Sequence, residues 1–183
     1  MVSGSGVDEP IQSMPGINRQ SVDVLCKTIA NDMALGIKAH MLFAVVDHQQ
    51  KDPTATKASD SSMPLQQAVA KLKADYGGEI VIMTDVCLCT ATDNGHCGIV
   101  HNHQIDNDLT IPELCKIALS HAEAGADYVS ASDMMDGRVK AIRAALEESG
   151  YVNTGILSYS VKYASSFYGP FRDAASSSPS FGD

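Results

Sequence analysis

A chain of 183 residues with 44% hydrophobic content is long enough for one domain with a packed core, and this is not the composition of a disordered protein. Its formal charge of −9 disfavours nucleic acid or an anionic membrane as partner, and no apolar run approaches the roughly 18–20 residues of a membrane span. The opening residues MVSGSGVDEP lack a basic, apolar leader, and five cysteines, three of them crowded between 87 and 97, read as metal ligands in a reducing compartment, so a cytoplasmic location is expected.

In chain order, residues 1–16 are polar and Gly-rich and predict a loose arm ahead of a domain spanning 17–183. Ser21 then caps a helix in which Val22, Leu25, Ile29 and Met33 recur at helical spacing before Gly36. Residues 40–46, HMLFAVV, predict a strand buried on both faces. A polar stretch over 47–63 predicts a long loop that is either mobile or orders only on contact with a partner, and Leu65, Val69, Leu72 and Tyr76 mark the next helix over 64–76. Residues 79–86 form another apolar strand that leads into the cysteines. Residues 101–108 read as a polar loop, and Thr110 with Glu113 forms a capping box for a helix ending at Gly125. A strand at 126–131 follows, with Ser132 or Asp133 capping a helix lined by Met135, Val139, Ile142 and Leu146. The last strand spans 154–159, and Pro170 fits the first turn of a helix carrying Arg172.

Strict alternation of helices with apolar strands predicts a parallel sheet. Asp85, Cys87 and Cys89, then Ser132 and Asp133, then Ser158, Ser160 and Lys162, all fall at C-terminal strand ends. That is the rim on which barrel enzymes build their sites, so an α/β fold of the (β/α)8 TIM-barrel kind is favoured over an open sheet. No glycine-rich nucleotide fingerprint appears. Four strands are about half of such a barrel.

Three features carry chemistry. Lys162, beyond a strand and among Tyr159, Tyr163, Ser165, Ser166 and Tyr168, is placed for partial desolvation, which would depress its pKa and free the amine to attack a carbonyl. Arg172 offers a planar fork for a carboxylate. Cys87, Cys89 and Cys97 could hold one zinc and leave a fourth position open; His96 ranks outside the ligand set, and Asp85 could orient bound water. Cys26 and Cys115 lie on helical patterns as packing residues. His40 reads as a satisfied structural group, and His101, His103 and His121 as solvated.

The stretches MTDVCLCTATDNGHCGIV (83–100), SHAEAGADYVSASDMMDGRV (120–139) and SYSVKYASSFYGPFRDAASSSPSFGD (158–183), with IQSMPG (11–16), resemble the porphobilinogen synthase (delta-aminolevulinic acid dehydratase) family. The resemblance covers nearly the whole chain. It implies a lyase that condenses two 5-aminolevulinate molecules into porphobilinogen with loss of two waters, in haem and tetrapyrrole biosynthesis, within a TIM-barrel homo-octamer. It further implies Lys162 as a Schiff-base lysine and Cys87, Cys89 and Cys97 as ligands of a zinc cofactor. Arg172 is implied to bind a substrate carboxylate, Tyr168 to line that site, and Asp85, Ser132 and Asp133 to be polar residues of the same rim.

Departures from the family pattern are also visible. Thr90-Ala91 stand where many relatives have Pro-Tyr, which is expected to loosen the cysteine loop. A second arginine, a second Schiff-base lysine and a strand before IQSMPG, all family features, have no counterpart in these residues, so the chain reads as a fragment unable to perform the full condensation alone. The alternative is a catalytically incomplete product that serves as a zinc-binding or subunit-interaction module. An aldolase-like lyase using Lys162 alone is disfavoured by the cysteine cluster.

Overall fold

The computed structural model describes residues 1–163 and 165–180; the end of the last resemblance motif, Phe181, Gly182 and Asp183, lies outside the described residues. At its centre are four parallel strands, β3 (Ala39–Leu42), β4 (Val81–Val86), β7 (Tyr128–Ala131) and β8 (Gly155–Leu157), hydrogen-bonded in that order. Each strand pairs with the next one in the chain. A doubly wound sheet would reverse direction at a switch point, whereas unbroken succession is the ordering of a barrel wall. The fold is therefore part of a TIM barrel, as expected.

Between the strands run α1 (Val22–Ala34), α2 (Pro64–Tyr76), α3 (Asn107–Ala124) and α4 (Arg138–Glu148), with α5 (Tyr168–Ala175) after β8. Parallel pairing places Leu42, Thr84, Val129 and Ile156 in one row beneath the helices. On this face Leu65, Val69, Leu72 and Ile82 form one cluster, and Leu114, Val86, Val129, Ile142 and Leu146 belong to a second. Each such buried side chain contributes roughly 1.5–3 kcal/mol.

The opposite face carries the rows Met41, Met83, Tyr128, Gly155 and Asp85, Ser130, Leu157. Here Tyr128 is 44% and Leu157 43% exposed. The strands are thus shorter than their apolar runs and are covered by helices on one face only. Gly155 is required in its row: a Cβ there would lie 2.4 Å from the Tyr128 ring.

Several local expectations give way to tertiary contacts. Residues 1–16 are not a loose arm. A hairpin, β1 (Asp8–Pro10) with β2 (Asn18–Gln20), ties them down, and Met1 pairs with Phe43 and Val45 at the end of β3. Ser21 stands at the N-cap of α1, but its hydroxyl donates to Asp23 at 2.6 Å and accepts the Val7 amide at 3.0 Å instead of capping the helix.

The 47–63 loop is ordered by its own aspartates. Asp52 accepts from the amides of Thr54 and Thr56, Asp60 accepts from that of Ser62, and two short 3-10 turns result. Residues 99–106 form a second hairpin, β5 (Ile99–His101) with β6 (Gln104–Asp106). Helix α3 therefore starts earlier than the Thr110/Glu113 box implies, because Asp106 caps it by accepting the Leu109 amide at 3.0 Å. Thr110 instead donates to the Asp106 carbonyl at 2.5 Å and accepts the Ile99 amide at 2.9 Å. Helix α4 begins at Arg138 with Gly137 at its N-cap, which releases Ser132 and Asp133 from the capping role expected of them. Among the described residues no helix is long and apolar enough to cross a membrane.

His121, expected in solvent, is 1% exposed on α3, and neither ring nitrogen finds a hydrogen-bond partner. Burial pushes its pKa down to about 3. The folded state therefore stays unprotonated between its own value and the ordinary 6.5, while the unfolded chain takes up a proton. Stability is unaffected above that window and falls as pH drops through it. Urea unfolding at pH 5 should show a loss of about 2 kcal/mol that His121→Leu lacks. Parallel losses in both proteins would show that His121 is not buried neutral.

Candidate functional site

The site lies at the C-terminal ends of β4, β7 and β8, and register builds it. Asp85 pairs with Ser130, and the Ser132 amide continues the ladder to Val86 O at 3.2 Å, so Asp85 and Ser132 share the open face. Ser132 Oγ donates to Asp85 Oδ1 at 2.6 Å. Burial pushes the Asp85 carboxyl up to about 7, against the opposing effects of that hydrogen bond and the Lys162 charge. The Ser132 carbonyl accepts from Lys162 Nζ.

The chain leaves β4 into the cysteine loop. Leu88 is fully buried, and its carbonyl accepts the amides of Ala91 and Thr92, both at 2.9 Å. Thr92 Oγ1 donates to His96 O at 2.9 Å, the His96 amide donates to Asn94 Oδ1 at 2.9 Å, and Gly95 turns with φ +73°. Asp52 bonds the loop from outside, its amide donating to Ala91 O at 3.2 Å. Thr90 is 7% and Ala91 0% exposed, so both residues that depart from the family pattern are packed within this loop.

The turn brings Cys97 back, so that the sulfurs of Cys87, Cys89 and Cys97 lie within 4.8 Å of one another. Cys97 is pushed down to about 3, chiefly by hydrogen bonds from Cys87 and Cys89 and further by Lys162 and His96, against burial. Cys87 is held well above the ordinary thiol value by its bonds to Cys89 and Cys97 and by burial. A thiolate at Cys97 is the first ligand a soft cation needs, and binding releases the remaining protons. Three sulfurs with one side open fit a four-coordinate ion. His96 lines the cavity beside them, outside the convergent set, as ranked from the sequence.

Beyond the cysteines opens a cavity of about 320 Å³, lined by Cys89, Cys97, Asp133, Lys162, Tyr168 and Arg172 among others. Lys162 Nζ stands 5.6 Å from the Tyr168 ring centroid, and Arg172 Cζ stands 5.4 Å from it. Arg172 has no carboxylate partner among the described residues, which leaves its fork available to an anion. The expected depression of the lysine pKa is not found. Burial does push Lys162 down, but its bond with Tyr168 and its Coulomb interactions with the cysteine cluster outweigh it, so Lys162 lies above its ordinary value.

Asp133, 3% exposed, accepts the Met135 amide at 2.7 Å and sits 3.5 Å from Arg138 Nε; burial raises its pKa. Asp85 and Cys87 border a smaller void behind the cavity, with Gln66 and His121. Ser158 and Ser160 bond to each other at 2.9 Å and do not line the cavity. Cys26 and Cys115 pack against the two cores, His40 Nε2 lies 3.2 Å from Ile37 O, and His101 and His103 are exposed, all as expected.

Two contributors escaped the sequence reading. Arg138 donates to the carbonyls of Met135 at 2.9 Å, Ser158 at 3.0 Å and Tyr159 at 3.4 Å, tying the ends of β7 and β8 together. Its only sequence signal was membership of the SDMMDGR stretch. Gly95 turns the cysteine loop, and a Cβ there would lie 2.2 Å from Ser178 O, so it also admits the segment after α5 against the cysteine loop.

Residues 1–183 match the family model described as delta-aminolevulinic acid dehydratase. A curated relative of that name from Methanothermus sociabilis is 51% identical over 98% of this chain and 55% of its own length. One from Staphylococcus aureus is 46% identical over 100% of this chain and 56% of its own length. The crystal structure of delta-aminolevulinic acid dehydratase (porphobilinogen synthase) from Toxoplasma gondii ME49, in complex with the reaction product porphobilinogen, superimposes with a TM-score of 0.94 at 44% identity, covering 100% of this chain and 52% of that one. The chain spans about half the length of the curated relatives it matches.

Cobalt(II) titration tests the thiol cluster. One equivalent per chain should develop sulfur-to-metal charge-transfer absorption, lost in Cys87→Ala and Cys97→Ala and retained in Cys26→Ala and Cys115→Ala. Retention in the first pair would refute the shared site.

Proposed function

Since this chain belongs to the delta-aminolevulinic acid dehydratase family, we propose that its rim is one substrate site of a porphobilinogen synthase, a hydro-lyase that condenses two molecules of 5-aminolevulinate. The observation that carries this reading is the convergence of an amine, Lys162, an arginine without a carboxylate partner among the described residues, Arg172, and a thiol cluster on one cavity. The product bound in the Toxoplasma gondii relative supports the same substrate class.

In this reading the substrate carboxylate lies against Arg172, and the Tyr168 ring between arginine and lysine sets how far along the cavity the ketone reaches. Lys162, held as an ammonium above its ordinary value, must lose a proton before its nitrogen can attack the ketone carbon. Asp85, titrating near 7 and sensing the Lys162 charge, is the group suited to take that proton, with Ser132 bonded to both. Attack forms the C–N bond, and expulsion of the former ketone oxygen as water leaves an imine on Lys162 that stabilises an adjacent carbanion. Cys87, Cys89 and Cys97 would hold zinc, which when bound supplies a Lewis acid for a substrate oxygen or amine. Asp133, fixed by Met135 and Arg138, presents a polar wall opposite.

All five cysteines are free, which supports a reducing, cytoplasmic setting. Val161, Tyr163 and Phe167 are 65%, 79% and 88% exposed, which supports burial against further protein in a homo-oligomer, an octamer on the family's pattern.

Borohydride reduction in the presence of 5-aminolevulinate or levulinate, followed by peptide mapping, tests the reading. An adduct on Lys162 is expected, absent in Lys162→Met, with Arg172→Ala raising the half-saturating keto-acid concentration roughly tenfold or more. A folded protein that forms no adduct on Lys162 would overturn it.

A further inference from the structure

Helix α5 carries Arg172 but has little hold on the core. It is eight residues long, and Ala175 is its one buried residue. A helix this short is far below the length that is stable alone, so its orientation is set by whatever grips it.

The grip comes from the N-terminal hairpin. Ser13 Oγ donates to Asp173 Oδ2 at 2.5 Å, and the Ser13 amide donates to the same oxygen at 3.4 Å. Arg19 Nε donates to Ala174 O at 2.9 Å, a second guanidinium N–H donates to Asp173 O, and the Asp173 carboxylate lies 3.9 Å from the same guanidinium. Carbonyls 173 and 174 belong to the last turn of the helix, where Asp173 O receives only a 3.3 Å bond from the Ser176 amide, and a cation there also complements the helix dipole.

Apolar packing between hairpin and helix is incomplete. A cavity of about 320 Å³ lies there, lined by Ile11, Met14, Arg19, Met41, Phe43 and Phe171 among others. Beside it the Phe43 and Phe171 rings meet edge-on at 5.4 Å. The polar grip, not a packed interface, therefore fixes how α5 is rotated. Asp173 faces the hairpin, and its neighbour Arg172, about 100° further round the helix, lines the substrate cavity.

We infer that Ser13 and Arg19 are positioning residues that hold α5 so that Arg172 meets the carboxylate of a keto acid bound at Lys162. This rests on the proposed imine reading of the same cavity, and it assigns to the IQSMPG stretch a part in substrate selection.

The test compares levulinate with methyl propyl ketone, which has the same ketone arm and no carboxylate. In Arg19→Met and Ser13→Ala, half-saturating levulinate for borohydride trapping on Lys162 should rise roughly three- to tenfold, while trapping of the neutral ketone stays at the wild-type level. Arg19→Lys should recover part of the loss. Equal losses for both ketones, or no loss for either, would overturn the inference while leaving the imine reading intact.

If the wild-type protein traps neither ketone, the imine reading falls. The positioning role is then read from levulinate titration of the Tyr168 ring resonances. Weaker binding in Arg19→Met supports the inference, and unchanged binding overturns it.

Discussion

The rim depends on the registration of β4 against β7. Side chains alternate across a strand, so a slip of one residue would send Ser132 to the helix-covered face and leave Asp85 buried without a donor. In the observed register Ser132 is shared, its hydroxyl given to Asp85 and its carbonyl accepting from Lys162. One residue thus bonds both a carboxyl shifted toward neutrality and the Lys162 amine. The helix side of the sheet, with Val86, Val129 and Ala131 fully buried, makes any other register costly.

At Lys162, neighbouring groups outweigh burial in setting the state of the site. Desolvation acts on Lys162 in the direction expected from its surroundings, yet Tyr168 and the thiol cluster outweigh it. The same proximity helps form the Cys97 thiolate, so lysine and cysteines stabilise each other's charged forms. A cation bound among the sulfurs would offset their charge and relieve that restraint on the amine. In the proposed function, a metal held by the cysteines would thereby act on the amine through space, without any moving part.

Segments outside the strands carry much of the support. The 47–63 loop braces the cysteine turn through Asp52, and Lys51 Nζ donates to Ser176 O at 2.8 Å just beyond α5. Ser180 N donates to Asn94 O at 2.9 Å, so the segment after α5 rests on the cysteine loop. The cavity is walled by pieces distant in sequence, held chiefly by backbone hydrogen bonds that leave little trace in residue type.

Much of the fold and site was legible in the sequence, for reasons that operate locally. Helical spacing of Leu65, Val69 and Leu72, apolar runs at 79–86 and 126–131, and polar residues at strand ends report burial and alternation directly, and three cysteines within eleven positions cannot lie far apart. What tertiary structure alone decided was whatever depends on a distant partner. Asp106 displaced the Thr110 box because a hairpin delivered it to the start of α3. His121 was buried by neighbours its own helix does not reveal. The Lys162 pKa rose because the loop after β4 brought the cysteines to it and α5 brought Tyr168, and Ser13 and Arg19 found α5 more than 150 residues away. Periodicity and composition encode which face of an element is buried; the sign of a pKa shift and the identity of a clamp are set by Coulomb and hydrogen-bond contacts that exist only once the chain has closed on itself.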